Sequence, residues 1–482
     1  MRPDAVAAQS GREIAAVAVV GGGQLALLAA TALARALPHC IITQIPAPVD
    51  PAALADTAHT TLPTLARLHR RIGLTERMLL DRADSSHRLA TRYEGWRGDG
   101  TAFCVGYGAA ADPALFRASA PGGDFAVSTA FACAGLFALP DDEATSPLSD
   151  LDYALRFDPA AHFAALTALA RHLKIEIARG AVADVLRHAD GTVLEITTTA
   201  DERITADVFI DCSGPSRRLR STVKGWIDWS DHVPIDRLVY PARAAQPVIA
   251  PIDSAAAFDG GYSLESPGRD ATHRIVAWSS RVLAPAAAAR VAAARLGDAA
   301  GPVIALRSGR LTEPWADNVV AFGDAAAAFD PIGWTNLHLA VVQIETFLDL
   351  LPRRADAACE RTEFNRRTGL AADRVADYVA AHSVLRPWAA GFSASPTLAR
   401  TVASFTRRGR LPAFEEESIA RDLWGQLLTG TTSGVGPAAY AEGLAPDERA
   451  ARIGDIHHRI AAAQKMGEPY PEALRRLLRE TA

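Results

Sequence analysis

VAVVGGGQLALLAATALARA, residues Val17 to Ala36, decides the fold. The β-branched Val17, Val19 and Val20 end abruptly in Gly21, Gly22 and Gly23, after which leucines and alanines at helical spacing run on to Leu37. That pattern is strand, tight turn, helix. The spacing of Gly21, Gly23 and Ala26 fits the G-x-G-x-x-G/A fingerprint. In it, bare backbone approaches a pyrophosphate, a helix N-terminus faces its charge, and a small residue lets helix pack on strand. Alone the motif is a weak signal, because a glycine-tight βα turn that binds nothing reads the same way.

A chain of 482 residues with 49% hydrophobic content buries a large core and is not globally disordered. Its net charge of -5 argues against a nucleic-acid partner, which needs a basic surface to displace counterions. The local basic runs Arg217, Arg218, Arg220 and Arg407, Arg408, Arg410 read as solvated faces. The five cysteines, Cys40, Cys104, Cys133, Cys212 and Cys359, contain no C-x-x-C pair, so neither a metal site nor a disulfide framework is expected. MRPDAVAAQSGREI at the start lacks the apolar stretch of a secretory signal, and the helix after Gly23 is broken by Arg35 and Pro38 before it could span a bilayer. The expectation is a cytoplasmic protein with no membrane partner.

Ile41 to Ile45 reads as the second strand of the dinucleotide unit. A carboxylate at its end normally holds a ribose, yet Ile45, Pro46, Ala47 and Pro48 stand there, leaving Asp50 as a shifted candidate. Leu62, Leu65, Leu68 and Ile72 mark a helix stopped by Gly73, with Thr75 capping the next. Arg88 to Trp96 reads as a strand. Phe157, Phe163, Leu166 and Leu169 mark a helix, followed by a strand Ile175 to Ile177 and a hairpin with arms Val193 to Thr198 and Ile204 to Ile210. Two apolar runs end at polar tips: Val208 to Ile210 at Asp211, and Val319 to Phe322 at Gly323 and Asp324. Such carboxyl ends gather ligands in open α/β sheets. Asp324 reads equally as the N-cap of a helix over Ala325 to Phe329. Pro285 opens an alanine-rich helix to Leu296. Beyond Pro352 the chain looks helical, with breaks at Pro387, Pro396, Pro412 and Pro437. GTTSGVGP, Gly430 to Pro437, reads as a loop, since no Lys-Ser/Thr pair completes a phosphate-binding motif.

The blocks VVGGGQLALLAA, TLPTLARLHRRIGLTE and RLATRYEGW resemble the opening of the flavin-dependent tryptophan halogenases, which share the fold of single-component flavin monooxygenases. YALRFDPAAHFAAL, ADVFIDCSGPSRRL, LRSGRLTEPWADNVVAFGDAAAAFDPIGWTNLHLA, LWGQLL and IGDIHHRIAAAQKM follow in family order. The resemblance implies an α/β, Rossmann-like FAD-binding fold. Residues 1–352 would form the flavin monooxygenase-type domain, with substrate-side segments at about 98–150, which holds the APGGDF loop, and 225–300, which holds the ESPGRD loop; residues 353–482 would form a helical C-terminal region. It implies FAD as cofactor. The contacts would be Gly21, Gly23, Gln24 and Ala26 on the first turn, with Gly323, Asp324, Pro331, Asn336 and Leu337 in the later block. Arg88 and Trp334 would face the substrate.

Several chemical positions depart from the family. The lysine ahead of R-F/Y-x-x-W is Arg88, whose guanidinium stays protonated and cannot carry halogen as an amine can. The glutamate of the P-L-E-S-T-like run is Gly333, which has no carboxylate to orient an oxidant or take a ring proton. Trp334 stands where a small hydroxyl residue lines the halide pocket. The G-x-G-E-A-T/S flavin strap is DTAHTT, Asp56 to Thr61, with His59 for the acid. Of the W-x-W-x-I-P guard only Trp278 remains, near IVAWSSRVL. No catalytic residue is assigned. The expectation is a flavin-weak or noncatalytic homologue acting with a partner, either a flavin reductase or an active paralogue. The alternative is an FAD-dependent monooxygenase acting on an aromatic small molecule or peptide.

Overall fold

The residues flanking the glycines form, in the computed structural model, strand β1 (Ala16–Val20) and helix α1 (Gln24–Ala36). The structure describes residues 13–97, 100–110, 115, 126–220, 225–297, 300–354, 357–432, 435 and 439–481. The start of the chain through residue 12, APGGDF, and four residues of the expected GTTSGVGP loop (Ser433, Gly434, Gly436 and Pro437) lie outside them. Every residue of α1 from Gln24 to Leu33 is buried, as a helix apolar on all sides requires. β2 (Ile41–Ile45) runs parallel to β1, with Val20 opposite Ile45. A single turn, α2 (Leu54–Thr57), follows. Gly73 closes the helix Leu65–Ile72 at φ +88, and Thr75 accepts from Met78 N at 3.3 Å to start the next helix.

Where one strand was expected over Arg88 to Trp96, there are two: β3 (Ser86–Arg88) and β4 (Ala90–Glu94). They separate at Leu89 because they pair with different partners, β3 with Ala154–Arg156 and β4 with Ile252–Phe258. β5 (Phe103–Gly106) lies antiparallel to β4, and α3 (Val127–Ala134) packs on it. The second arm of the expected hairpin is also divided. Val193–Thr198 pairs with Val182–Arg187 and with only Arg203–Ile204, while β6 (Val208–Asp211) joins β1 in the parallel sheet. Asp207 redirects the chain, since its carboxylate accepts from Ala15 N at 2.7 Å and Ala16 N at 3.0 Å.

β7 (Val319–Ala321) ends in a single 3-10 turn, Gly323–Ala325, not in a helix, because Ala327–Ala328 are drawn into a short sheet with Gly309 and Arg310. Asp324 therefore has no helix over Ala325 to Phe329 to cap. After it comes α4 (Thr335–Asp349). The alanine-rich helix spans Pro285–Leu296 as its sequence indicates. Pro396 opens a helix instead of breaking one, with Ser395 Oγ accepting from Leu398 N at 3.0 Å. Finally α5 (Arg421–Thr431) takes in Gly430 and Thr431, the first two residues of the expected loop.

Two compact units result, each built from three stretches of chain. The first comprises the described parts of 1–83, 159–229 and 307–373. Its six-stranded sheet runs Trp315–Ala316, β7, β6, β1, β2, Glu176–Ile177, parallel except at the Trp315–Ala316 edge. The second comprises the described parts of 84–158, 230–306 and 374–482, and its seven-stranded sheet has β5 at one edge. The helices from Arg374 onward thus pack with the described parts of 84–158 and 230–306, and the described parts of 353–373 with the Rossmann-like unit. Among the described residues no helix is long and apolar enough to cross a membrane.

Candidate functional site

In the first unit, β1, β2, β6 and β7 all end on the same side of the sheet, around Gly21 to Gly23. Each glycine of the turn is required by a part of the chain itself. A Cβ on Gly21 would stand 2.8 Å from Ala26 Cβ and 2.8 Å from the Cys212 carbonyl oxygen; one on Gly22 would overlap the carbonyl of Ala47. A Cβ on Gly23 would overlap the carboxylate of Asp56. That carboxylate reaches the first turn of α1, where Oδ1 accepts from Leu25 N at 2.9 Å. Burial pushes the Asp56 carboxyl up to about 7, and the bond from Leu25 pulls the other way. The amides that would meet a pyrophosphate therefore face a carboxylate of the protein.

Gln24 fixes the strap from the other side. Its Nε2 donates to Ala55 O at 2.9 Å and to Ala58 O at 2.8 Å, which leaves Oε1 to accept from His162 Nδ1 at 2.7 Å. With the Nδ1 proton so used, His162 Nε2 accepts from His69 Nε2 at 3.1 Å. Both rings are wholly buried and neutral; desolvation pushes His69 down to about 3 and His162 well below its ordinary value. Asp324 belongs to this closure too. Its Oδ2 accepts from Ala55 N at 2.8 Å, and burial, with a contribution from Asp56, pushes it up to about 7. Gly323 donates its N–H to Gln343 Oε1 at 2.7 Å, at a positive φ of +60. Asp50, the shifted ribose candidate, turns its carboxylate onto Ala52 N at 2.9 Å.

The later block is equally closed. Pro331 accepts from Trp334 N at 2.9 Å, Asn336 Nδ2 donates to Phe329 O at 2.9 Å, and Leu337 is fully buried. Gly333 (φ +71) and Trp334 (φ +58) are both left-handed, a turn that swings the indole inward; Trp334 is 5% exposed. Its ring meets that of His59 edge to face, with centroids 4.4 Å apart and planes at 73°. The two departures from the family pattern at positions 59 and 334 are thus in contact with each other.

Arg88 lies in the second unit, on β3. Its Nη1 donates to Asp253 Oδ2 at 2.9 Å and its Nη2 to the Tyr107 hydroxyl, and both charged side chains are 1% exposed. Arg156 shares the same carboxylate through Oδ1, at 2.8 and 2.9 Å, and Ser266 Oγ donates to it at 2.7 Å. Two guanidinium groups hold Asp253 below the ordinary carboxylate range despite its burial. Arg88 is a charged strand residue fixed between a carboxylate and a phenol. Trp278, the remnant of the guard motif, is a buried strand residue packed with Val239, Val276, Ala288 and Ala292.

As placed, these residues do not fit FAD: the Leu25 amide at the start of α1 is already taken by Asp56, and Asp324 is engaged by the strap backbone. No step through a flavin follows from them. Sequence reasoning missed Asp56, His69, His162, Arg156 and Asp253. Asp56 alone carried a signal, since it stands at the first glycine of the strap pattern. The expectation of solvated basic faces also fails at Arg217, which is 8% exposed with Nε donating to Ala325 O at 3.0 Å. The reason is the ring of Trp226, 4.2 Å from the guanidinium, which covers it. Among the described residues no group of three or more His, Cys, Asp or Glu is placed to hold a metal ion.

A family model described as tryptophan halogenase matches residues 16–446. Tryptophan 7-halogenase KtzQ of Kutzneria sp. (strain 744) is 28% identical over 227 residues, 43% of this chain and 41% of KtzQ. Tryptophan 7-halogenase RebH of Lentzea aerocolonigenes is 26% identical over 217 residues, again 43% of this chain and 41% of the relative. The matched stretches span less than half the length of these curated relatives. Among solved structures, BrvH, a flavin-dependent halogenase from Brevundimonas sp. BAL3, superposes with a TM-score of 0.87 at 24% identity, covering 96% of this chain and 99% of BrvH. Xcc4156, a flavin-dependent halogenase from Xanthomonas campestris, gives 0.86 at 22% identity, covering 97% and 99%. At these identities the likeness establishes the fold.

Proposed function

Because the chain belongs to the tryptophan halogenase family, we propose that it is a non-halogenating, flavin-weak member that works by binding beside a partner instead of by turnover. The observation that carries this reading is the Asp56 carboxylate, bonded to Leu25 N at 2.9 Å at the end of α1. A carboxyl built into that helix end competes with a pyrophosphate for the same amides and, once ionised above about pH 7, also repels its charge. Support also comes from Arg88, whose guanidinium is committed to Asp253, and from Gly333 and Trp334, which supply no carboxylate and fill space with an indole. The partner in this reading is an active paralogue or a flavin reductase, and the ligand an aromatic small molecule or peptide.

The test is a titration of the purified full chain with FAD and with reduced flavin, followed by visible absorbance. It is paired with incubation in reduced flavin, oxygen and halide with indoles present. The expected result is no saturable flavin binding and no halogenated product. A chlorinated or brominated indole overturns the proposal. Saturable flavin binding with substrate-dependent oxygen uptake replaces it with an FAD-dependent monooxygenase.

A further inference from the structure

Cys104 and Cys133 are 29 residues apart in sequence, yet their sulfurs lie 3.3 Å from each other in the second unit. The approach follows from the periods of the two elements that carry them. Cys104 and Gly106 are two apart on β5 and share a face of the strand; Thr129 and Cys133 are four apart on α3 and share a face of the helix. Gly106 sets the spacing, since a Cβ there would stand 3.0 Å from both Thr129 N and Thr129 Cγ2. With helix and strand pressed together at 106 and 129, the next pair along both elements is 104 and 133. Cys133 is exposed and Cys104 is half-buried. The other three cysteines are placed differently: Cys40 Sγ donates to Ile14 O at 3.2 Å, Cys212 is buried, and Cys359 is exposed on a separate helix.

We propose that Cys104 and Cys133 are a reversible oxidation site at which a peroxide forms a disulfide between β5 and α3. The exposed Cys133 thiolate attacks a peroxide oxygen, the O–O bond breaks, and a sulfenic acid and water (or the corresponding alcohol) form. The Cys104 sulfur then attacks the sulfenyl sulfur, the S–S bond forms, and the sulfenic oxygen leaves as a second water with the remaining thiol proton. The two thiols are oxidised, the peroxide is reduced, and an external dithiol reverses the crosslink by exchange. The bond restrains the edge of the seven-stranded sheet just before two clamped residues. Gly106 exchanges bonds with Gln426 of α5 at 2.9 and 3.0 Å, and the Tyr107 hydroxyl accepts from Arg88.

The test is to treat the reduced full-length protein with hydrogen peroxide, quench it, denature it without reductant and measure intact mass and peptides. The expected product is a monomer lighter by two hydrogens, with one linked peptide pair carrying Cys104 and Cys133. Dithiothreitol should restore the starting mass. Cys104→Ser should abolish the link and let Cys133 proceed to sulfinic acid, whereas Cys40→Ser and Cys359→Ser should leave the link intact. Recovery of Cys104 and Cys133 as separate thiols or separate sulfinic acids overturns the proposal. So does a reducible dimer joined through Cys133.

Discussion

The carboxyl of Asp56 is bonded to the amide of Leu25 across 31 residues of sequence, closing the N-terminal end of α1 with a group that belongs to the protein. Removing that side chain should open the turn. Asp56→Gly is expected to raise affinity for FAD on the order of tenfold or more, equivalent to ~1.4 kcal/mol. Isothermal calorimetry or absorbance titration of the variant beside the parent measures it, and unchanged affinity would show that Asp56 is not the obstacle.

The same contact can be probed through stability. Gly23→Ala places a methyl into the Asp56 carboxylate and should destabilise the protein by about 1–3 kcal/mol, as overpacking does. In the Asp56→Gly background the penalty should largely vanish. A double-mutant cycle by urea denaturation reads the coupling; additive effects would mean that the two positions do not meet in solution.

Acidity should act on this region in two opposed ways. Asp56 and Asp324 titrate at about 7 when folded but near 4 when unfolded, so between those values the folded chain binds more protons and stability falls as pH rises. His69, at about 3, and His338, buried on α4 with Nδ1 2.8 Å from Thr64 Oγ1 and pushed down to about 4, behave oppositely: the unfolded chain takes the protons below about 6.5, and stability rises with pH up to that value. Asp56→Asn removes part of the first effect only. Its unfolding free energy relative to the parent, read by urea denaturation, should therefore climb as pH goes from 4 to 7 and level off above, by on the order of 2–4 kcal/mol at pH 7. A constant offset across that window would contradict the assignment.

Arg88→Ala leaves Asp253 with one guanidinium in place of two and should cost roughly 3–5 kcal/mol, the range for breaking a buried ion pair. Arg88→Lys combined with Gly333→Glu should not produce halogenation. The amine would be held charged beside Asp253, and a glutamate at φ +71 would pay roughly 1–2 kcal/mol of backbone strain. Product analysis by mass spectrometry after incubation with reduced flavin, halide and indole decides it.

Much of the fold was legible in local sequence. The limits of β1, α1 and β2 follow from where valines, glycines and leucines fall, and the helix Pro285–Leu296 from its proline and alanines. What failed depended on partners distant in sequence. The hairpin arm was misread because Asp207 commits the chain to the start of β1, and the strand at Arg88 because Leu89 divides two pairings. The departures from the family pattern at Arg88, His59, Gly333 and Trp334 were legible one by one. Their company was not: no local pattern announces that His59 will meet Trp334, or that one aspartate at 253 will serve two arginines.

That shared aspartate has a consequence for how the second unit responds to its surroundings. Added salt weakens the exposed pairs, such as Arg92 with Glu94, because ions crowd around them. No ion reaches Arg88, Arg156 and Asp253 while the strands stay closed, so brine that loosens the rim leaves this clasp at full strength.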